Sequence, residues 1–117
     1  MKLINTKTIV AMLFVLMFVS ACTESKPEPI NTVASESEKT IALEKWARSC
    51  ALCHINGEGG APKTGDLLAW QERLDKGQDV LLRHTIEGFN KMPPLGYCMD
   101  CSEKDYLILI EFMAAQK

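Results

Sequence analysis

The chain has no excess of positive charge and no pattern typical of β-structure. Its 117 residues include 13 Lys and Arg against 15 Asp and Glu, a formal net charge of −2 at pH 7. Proteins that bind nucleic-acid phosphates carry the opposite balance, so we expect no nucleic-acid partner. The alternation of apolar and polar residues that marks β-strands is missing, and no internal repeat is visible. These absences favour one all-α domain.

The sequence also lacks an apolar run long enough to cross a bilayer. The longest run, residues 9–19, has 11 residues, whereas a spanning helix needs about 20. Two lysines precede it and small residues lead to Cys22, which predicts a signal peptide over residues 1–21. The end of this segment is typical of a bacterial lipobox, where the thiol of Cys22 is acylated and becomes the new N-terminus. The alternative is an ordinary secretory signal cut near Ala21.

Residues 22–38 are polar and contain two prolines, so they predict a flexible, lipid-anchored linker rather than a helix. A coil of this length spans roughly 20–25 Å. Thr23 after the lipidated cysteine, by analogy with lipoprotein sorting, favours the outer over the inner membrane. The folded domain is then residues 39–117, a size at which a core made only of protein is marginal.

The first motif with reactive side chains is Cys50-Ala51-Leu52-Cys53-His54. Two thiols at this spacing can add across the two vinyl groups of one porphyrin, and the adjacent imidazole can reach the iron. A Cys-x-x-Cys pair alone is shared by zinc, disulfide and thiol-redox sites. The neighbouring His54, in a chain that looks exported, favours one covalent haem c held by Cys50 and Cys53. A buried porphyrin would supply missing core, so we expect the haem-free chain to fold poorly.

Met92 is the stronger candidate for a second axial ligand. Pro93 and Pro94 keep it out of a helix and stiffen the loop that presents its thioether. A thioether opposite histidine stabilises ferrous iron and raises the reduction potential, which suits reversible one-electron transfer. Two alternatives stay open: Met92 is an ordinary core residue, or His84 binds the iron in its place.

The segment Cys98-Met99-Asp100-Cys101 is a second Cys-x-x-Cys pair, and no histidine follows it, so we expect no second haem. An oxidising compartment favours a disulfide. A four-thiolate zinc site with Cys50 and Cys53 is one alternative, although it leaves the histidine and the export signal unexplained. A catalytic thiol pair is another, and nothing nearby would lower a thiol pKa.

Helical spacing and capping residues predict about four short helices. The first is expected to carry four residues on one buried face: Leu43, Trp46, Ala47 and Cys50. The later helices are expected to begin after side chains that can cap an N-terminus: Asp66, Asp79, and Ser102 with Asp105. Gly77 and Gly88 are expected to end the second and third helices.

With these motifs in view, the chain resembles the class I cytochromes c, and specifically the small bacterial cytochrome c5 group. The resemblance covers nearly all of residues 41–117, and the combination is more specific than any single motif. The matching residues are Cys50 to His54, Gly57, Gly60 to Lys63, Gly65-Asp66, Trp70, Gly77, Leu81-Leu82, Gly88, Met92 to Pro94, Gly96, Cys98, Cys101-Ser102 and Tyr106.

The resemblance implies an all-α class I cytochrome c fold in which the first and last helices cross beside one haem. It implies His54 and Met92 as axial ligands and a Cys98–Cys101 disulfide. It also implies that the Pro62 carbonyl accepts the His54 ring N–H. The chain departs from the usual pattern at residues 95–97, where Tyr97 would lie against the exposed haem edge.

These observations predict a monomeric, membrane-tethered electron carrier of a bacterial periplasmic respiratory chain, and not an enzyme. Its expected partners are a respiratory electron donor and an oxidase or reductase, with Lys63 and Lys91 as candidate docking residues. A haem enzyme or gas or redox sensor with an exchangeable sixth ligand is the main alternative. A zinc-binding module is the other.

Overall fold

The computed structural model describes residues 33–115, which form five α-helices and no strand. The helices are α1 (Glu36–Arg48), α2 (Ala51–His54), α3 (Leu67–Leu74), α4 (Gln78–Glu87) and α5 (Glu103–Ala115), and two short 3-10 segments cover Glu58–Gly60 and Pro94–Tyr97. The all-α fold is confirmed, with α2 as a short helix beyond the four expected. The signal peptide, Cys22 and most of the predicted linker lie outside the described residues. Within residues 33–115, none of the helices combines the length and apolarity that crossing a membrane requires.

Helix α1 begins at Glu36, so the prediction that residues 36–38 belong to the linker was wrong. Ser35 and Glu38 form a capping box: the Glu38 N–H donates to Ser35 Oγ at 3.3 Å, and the Ser35 N–H donates to Glu38 Oε2 at 2.9 Å. This reciprocal pair satisfies backbone donors that the helix itself leaves free. The folded domain therefore starts several residues earlier than predicted.

The first helix ends before the haem-binding motif rather than running into it. Ser49 leaves the helical conformation with φ −130° and ψ −80°, and its hydroxyl donates to the Lys45 carbonyl at 2.6 Å. Cys50 is the N-cap residue that precedes α2, and it is buried although it is not on the α1 face. Ala47, which was placed on that face, is exposed; Ala42 occupies the buried position instead.

The caps of α3 and α5 are confirmed, and that of α4 is not. The Asp66 carboxylate accepts the Ala69 N–H at 3.1 Å, and Ser102 caps α5 through the Asp105 N–H at 3.2 Å. Helix α4 begins one residue after Gly77, so Asp79 lies inside its first turn. There its charge still interacts favourably with the positive end of the helix dipole.

The crossing of α1 and α5 forms the centre of the core, where Ala42 and Leu109 are essentially inaccessible to solvent. Trp46 packs edge-on against Phe112, with ring centroids 5.2 Å apart. Lys45 of α1 pairs with Asp105 of α5 at 2.8 Å, with both side chains largely shielded from solvent. The other buried apolar residues of this core are Cys50, Trp70, Leu81, Ile108, Ile110, Met113 and Ala114.

Candidate functional site

A cavity of about 310 Å³ opens beside α5, and the predicted site residues meet there. Cys50, Cys53 and His54 line it together with Met92, which is 38 positions later in the chain than His54. Apolar and aromatic side chains supply much of the remaining wall, among them Trp70, Leu81, Leu109, Ile110 and Met113. The fold therefore places two thiols, an imidazole and a thioether around one mainly apolar space.

His54 is 6% exposed, and its ring is held in one orientation. Its Nδ1 lies 2.8 Å from the Pro62 carbonyl oxygen. A carbonyl only accepts hydrogen bonds, so Nδ1 carries the proton and Nε2 keeps a lone pair for a metal. Burial lowers the pKa of His54, opposed by the Pro62 hydrogen bond and helped by the nearby Arg73 cation. The neutral, metal-binding form of the imidazole is thus the favoured one.

The thiols of Cys50 and Cys53 are both free. Cys50 is buried beside the Ser49 hydroxyl, and that burial raises the pKa of its thiol. A thiol-redox site requires the reverse shift, toward thiolate at neutral pH. The two sulfurs are unlinked and lie at the edge of a mainly apolar cavity, an arrangement that fits covalent attachment of a porphyrin.

The loop that carries Met92 is closed on itself by backbone hydrogen bonds. The Phe89 N–H donates to the Met92 carbonyl at 3.1 Å, and the Met92 N–H donates back at 2.9 Å. Two glycines leave room for this loop: a Cβ on Gly96 would lie 3.2 Å from Met92 Cε, and one on Gly88 would lie 3.0 Å from the Met92 carbonyl oxygen. The paired backbone hydrogen bonds, with glycine at both close approaches, place the thioether at the cavity wall.

The second cysteine pair lies immediately after this loop, and Cys98 and Cys101 are joined by a disulfide. The Tyr106 hydroxyl donates to the Cys98 carbonyl at 2.8 Å, which fastens the segment to α5. Among the described residues, no three or more His, Cys, Asp or Glu side chains are grouped as metal ligands. The four-thiolate zinc alternative therefore has no support in the geometry.

The other candidate ligands have different environments. His84 lines the cavity but stacks on Phe89, with ring centroids 4.0 Å apart and planes inclined by 14°. Met113 belongs to the buried core, whereas Met99 is 78% exposed. His84 and Met113 therefore line the cavity and Met99 does not; Met113 is packed in the core, and the ring of His84 is stacked on the phenyl group.

Charged and exposed residues lie around the opening. Tyr97 is 65% exposed and lines the cavity, in the left-handed backbone region at φ 64°. Lys91 also lines it, and its side chain passes close to Gly59. Lys63 is exposed and packs near Gly57 instead. Arg73 of α3 reaches the cavity as a half-buried cation.

Comparisons with known proteins agree with this site. The family described as "Cytochrome C oxidase, cbb3-type, subunit III" matches residues 40–113, more than half of the chain. Cytochrome c5 of Ectopseudomonas mendocina is 46% identical over 70 residues, which cover 58% of this chain and 80% of that protein. The chain belongs to the class I c-type cytochromes. It is similar to cytochrome c5 and, like the family, carries covalently bound haem c.

Two further relatives support the same assignment. Cytochrome c5 of Azotobacter vinelandii is 46% identical over 61 residues, covering 50% of this chain and 74% of that protein. Cytochrome c-555 of Chlorobaculum tepidum is 46% identical over 72 residues, covering 62% of this chain and 67% of that protein. This cytochrome is therefore an electron carrier rather than an enzyme, and it exchanges electrons with redox partner proteins.

Trp70 is the site residue whose role the sequence did not indicate. The sequence identifies it only as one of the residues that match the cytochrome c5 group, yet its indole N–H donates to the Lys63 carbonyl at 2.8 Å. Its ring also stacks near the His54 imidazole, with centroids 5.8 Å apart. A tryptophan eight residues after Pro62 is a weak signal by itself, because the contact depends on how the intervening loop folds back.

Proposed function

We propose that this cytochrome is a one-electron carrier of a bacterial periplasmic respiratory chain, with haem c attached through Cys50 and Cys53. His54 and Met92 are the axial ligands in this proposal. The observation that carries it is the convergence of both free thiols, an oriented imidazole and the Met92 thioether on one mainly apolar cavity. Bound haem c supplies reversible one-electron chemistry at its iron.

Each residue has a distinct task in this proposal. Pro62 orients His54 by accepting its Nδ1–H, which also fixes the tautomer. Met92 favours the ferrous state because a soft thioether raises the reduction potential. The apolar wall, to which Leu81 and Leu109 contribute, excludes water and so reduces the reorganisation that accompanies each electron transfer.

Arg73 is the residue we assign to the negative charge of the haem propionates. It lines the cavity half-buried, and its guanidinium donates to the Ala69 carbonyl. Among the described residues no carboxylate forms an ion pair with it, whereas the shielded Lys45 has Asp105. A cation in such surroundings is stabilised by an anionic partner, and a guanidinium matches a carboxylate geometrically.

The location of the carrier is part of the proposal. Lipidation at Cys22, after removal of residues 1–21, would tether the domain to a membrane through the segment that precedes Ser35, with the outer membrane favoured. The partners would be a respiratory donor and an oxidase or reductase that dock near Lys91 and Lys63. Replacing Cys22 (Cys22→Ser) is expected to move the holoprotein from the membrane fraction to the soluble periplasmic extract. Retention in the membrane fraction would contradict the anchor.

The ligand assignment is tested by visible spectra of periplasmically matured protein, oxidised and reduced. Haem should survive acid–acetone extraction, and the ferric protein should show a weak long-wavelength band from the iron–thioether bond. Met92→Ala should keep the haem, lose that band, lower the reduction potential and bind added carbon monoxide. Met99→Ala is the control, because Met99 is 78% exposed and outside the cavity wall.

The outcomes separate the candidate functions. A band that persists in Met92→Ala removes Met92 from the iron and indicates another methionine, whereas covalent haem that lacks the band in the unaltered protein directs attention to His84. Carbon monoxide binding by the unaltered protein at neutral pH would favour the alternative, a haem enzyme or sensor with an exchangeable ligand. Protein without covalent haem would refute the central assignment.

A further inference from the structure

Residues 61–66 form a loop, here named the proximal loop, that carries the Pro62 carbonyl to His54. Its backbone is tied to three parts of the fold. The Thr64 N–H donates to the His54 carbonyl at 2.7 Å, and the Gly65 N–H donates to the Met113 carbonyl at 2.8 Å. One side-chain donor joins them: the Trp70 indole N–H, 2.8 Å from the Lys63 carbonyl oxygen.

The Trp70 hydrogen bond is made to the Lys63–Thr64 peptide. The neighbouring Pro62–Lys63 peptide carries the carbonyl that lies against His54 Nδ1. The peptide between Lys63 and Thr64 is held at both ends, since its carbonyl accepts from Trp70 and its N–H donates to His54. On the other side, the pyrrolidine ring fixes φ of Pro62 at about −65°. The Pro62 carbonyl therefore lies between two constrained points and keeps its 2.8 Å contact with His54 Nδ1.

Burial and ring packing restrict the position of Trp70 itself. It is 4% exposed on α3, and its ring lies near the His54 ring at an interplanar angle of 28°. The indole therefore stacks near the imidazole, while its N–H holds the loop whose Pro62 carbonyl hydrogen-bonds the same imidazole. Both contacts restrict the same ring.

We propose that Trp70 is a positioning residue that sets the donor strength of His54 by holding the Pro62 carbonyl in place. The proposal rests on the assignment of His54 as an axial ligand made above. A well-placed acceptor on Nδ1–H makes the imidazole more electron-rich, which favours ferric over ferrous iron. Loosening that acceptor shifts the equilibrium toward the reduced protein.

The competing explanation is that Trp70 only fills the core, and the chain offers a matched control. Trp70→Phe removes the N–H and keeps an aromatic ring. Trp46→Phe makes the same change at a tryptophan whose buried Nε1 has no hydrogen-bond partner among the described residues. Trp46 packs on Phe112 and is not part of the cavity wall. Both variants lose packing, but only one loses a bond to the proximal loop.

The experiment compares the two holoproteins with the unaltered one in two measurements. The first is the equilibrium constant for reduction, measured against a reference redox protein. The second is the exchange rate of the His54 Nδ1–H in deuterated water, followed by NMR in the ferrous state. Mutating partners outside the metal's own ligands commonly costs about 10–100-fold in metal affinity or activity. For the weaker, indirect change in Trp70→Phe we expect reduction to become at least about threefold more favourable and exchange about tenfold faster.

Trp46→Phe should leave both quantities within about twofold of the unaltered protein while losing comparable unfolding free energy. Equal changes in the two variants, or none in Trp70→Phe, would overturn the proposal. If Trp70→Phe yields no holoprotein, replacing Trp70 by the isosteric benzothienylalanine in a Trp46→Phe background removes only the N–H, and the same two readouts apply. Failure of the proposed function is recognised separately, because the unaltered protein would then lack covalent haem or the thioether band.

Discussion

Gly77 and Gly88 stand at the two ends of α4 with nearly identical backbone dihedrals, φ 93° and ψ 153° for the first and φ 87° and ψ 155° for the second. Only glycine occupies this region readily, and another residue there costs about 1–3 kcal/mol. Their surroundings differ. A Cβ on Gly77 meets nothing within 4 Å, whereas one on Gly88 meets the Met92 carbonyl oxygen and the Pro94 nitrogen, both at 3.0 Å.

This pair separates backbone strain from disturbance of the Met92 loop. Gly77→Ala should lower the free energy of unfolding by about 1–3 kcal/mol and leave the ferric long-wavelength band intact. Gly88→Ala should lose more stability and also weaken the band, because the added methyl pushes against the loop backbone. Urea unfolding and the visible spectrum measure the two effects. An unaltered band in Gly88→Ala would show that the loop adjusts without moving the thioether.

At the scale of helices, the ion pair between α1 and α5 predicts a pH effect. Burial raises the pKa of Asp105, but hydrogen bonds from Lys45 and Ser102 outweigh it, and the net pKa lies below its ordinary value. A carboxylate with a lowered pKa stabilises the fold at neutral pH, and this contribution is lost as the pH falls through that lowered pKa. The neighbouring pair of Arg48 with Asp100 is more than half exposed and is screened by solvent.

Asp105→Asn should therefore lower the unfolding free energy at pH 7 by about 1–3 kcal/mol, the cost of breaking a shielded charged hydrogen bond. The difference from the unaltered protein should shrink as the pH falls below the ordinary pKa of aspartate and through the lowered pKa of Asp105 in the folded protein. Asp100→Asn should have a much smaller effect at every pH. Thermal unfolding across this pH range makes the comparison, and equal losses in the two variants would argue against a special role for the Lys45 pair.

The helix caps show which parts of the fold could be predicted from the sequence. The caps at Asp66 and Ser102 were predictable because each follows a loop and precedes an apolar face. The prediction of Asp79 as a cap failed because the helix already begins after Gly77, two residues earlier. Gly77 turns the chain into the helix with φ 93° and ψ 153°, which glycine adopts readily. The capping box at Ser35 was hidden in a polar segment whose composition indicates a linker.

The site residues were predictable where they lie close together in the sequence. Cys50, Cys53 and His54 form one local motif, and the prolines after Met92 marked its loop. The contact of Trp70 with the Lys63 carbonyl was not predictable, since it depends on the path of a backbone and not on a residue pattern. Sequence spacing identifies side chains that act on the cofactor more readily than those that hold a carbonyl in place.

For the whole molecule, the cavity predicts that folding depends on haem. Without haem, the mainly apolar wall of this cavity is exposed to water, which removes apolar burial from a domain whose total stability is typically about 5–15 kcal/mol. Protein with Cys50→Ala and Cys53→Ala, produced without haem, should have reduced near-UV circular dichroism and no sharp thermal transition. Cooperative unfolding at a temperature similar to that of the holoprotein would refute this expectation.

The capping box at Ser35 bears on how a partner can approach. Lys104, at the start of α5, pairs with Glu38 at 2.6 Å, so the beginning of α1 is bound to α5 at a defined place. None of the described residues from 33 to 48 contributes to the cavity wall. The proposed lipid-anchored segment would join the domain at Val33, and so would restrain it from a surface that takes no part in the cavity. Anchoring and electron exchange would then be compatible. The linker would limit the volume in which the domain diffuses, and the cavity side would stay accessible to redox partners.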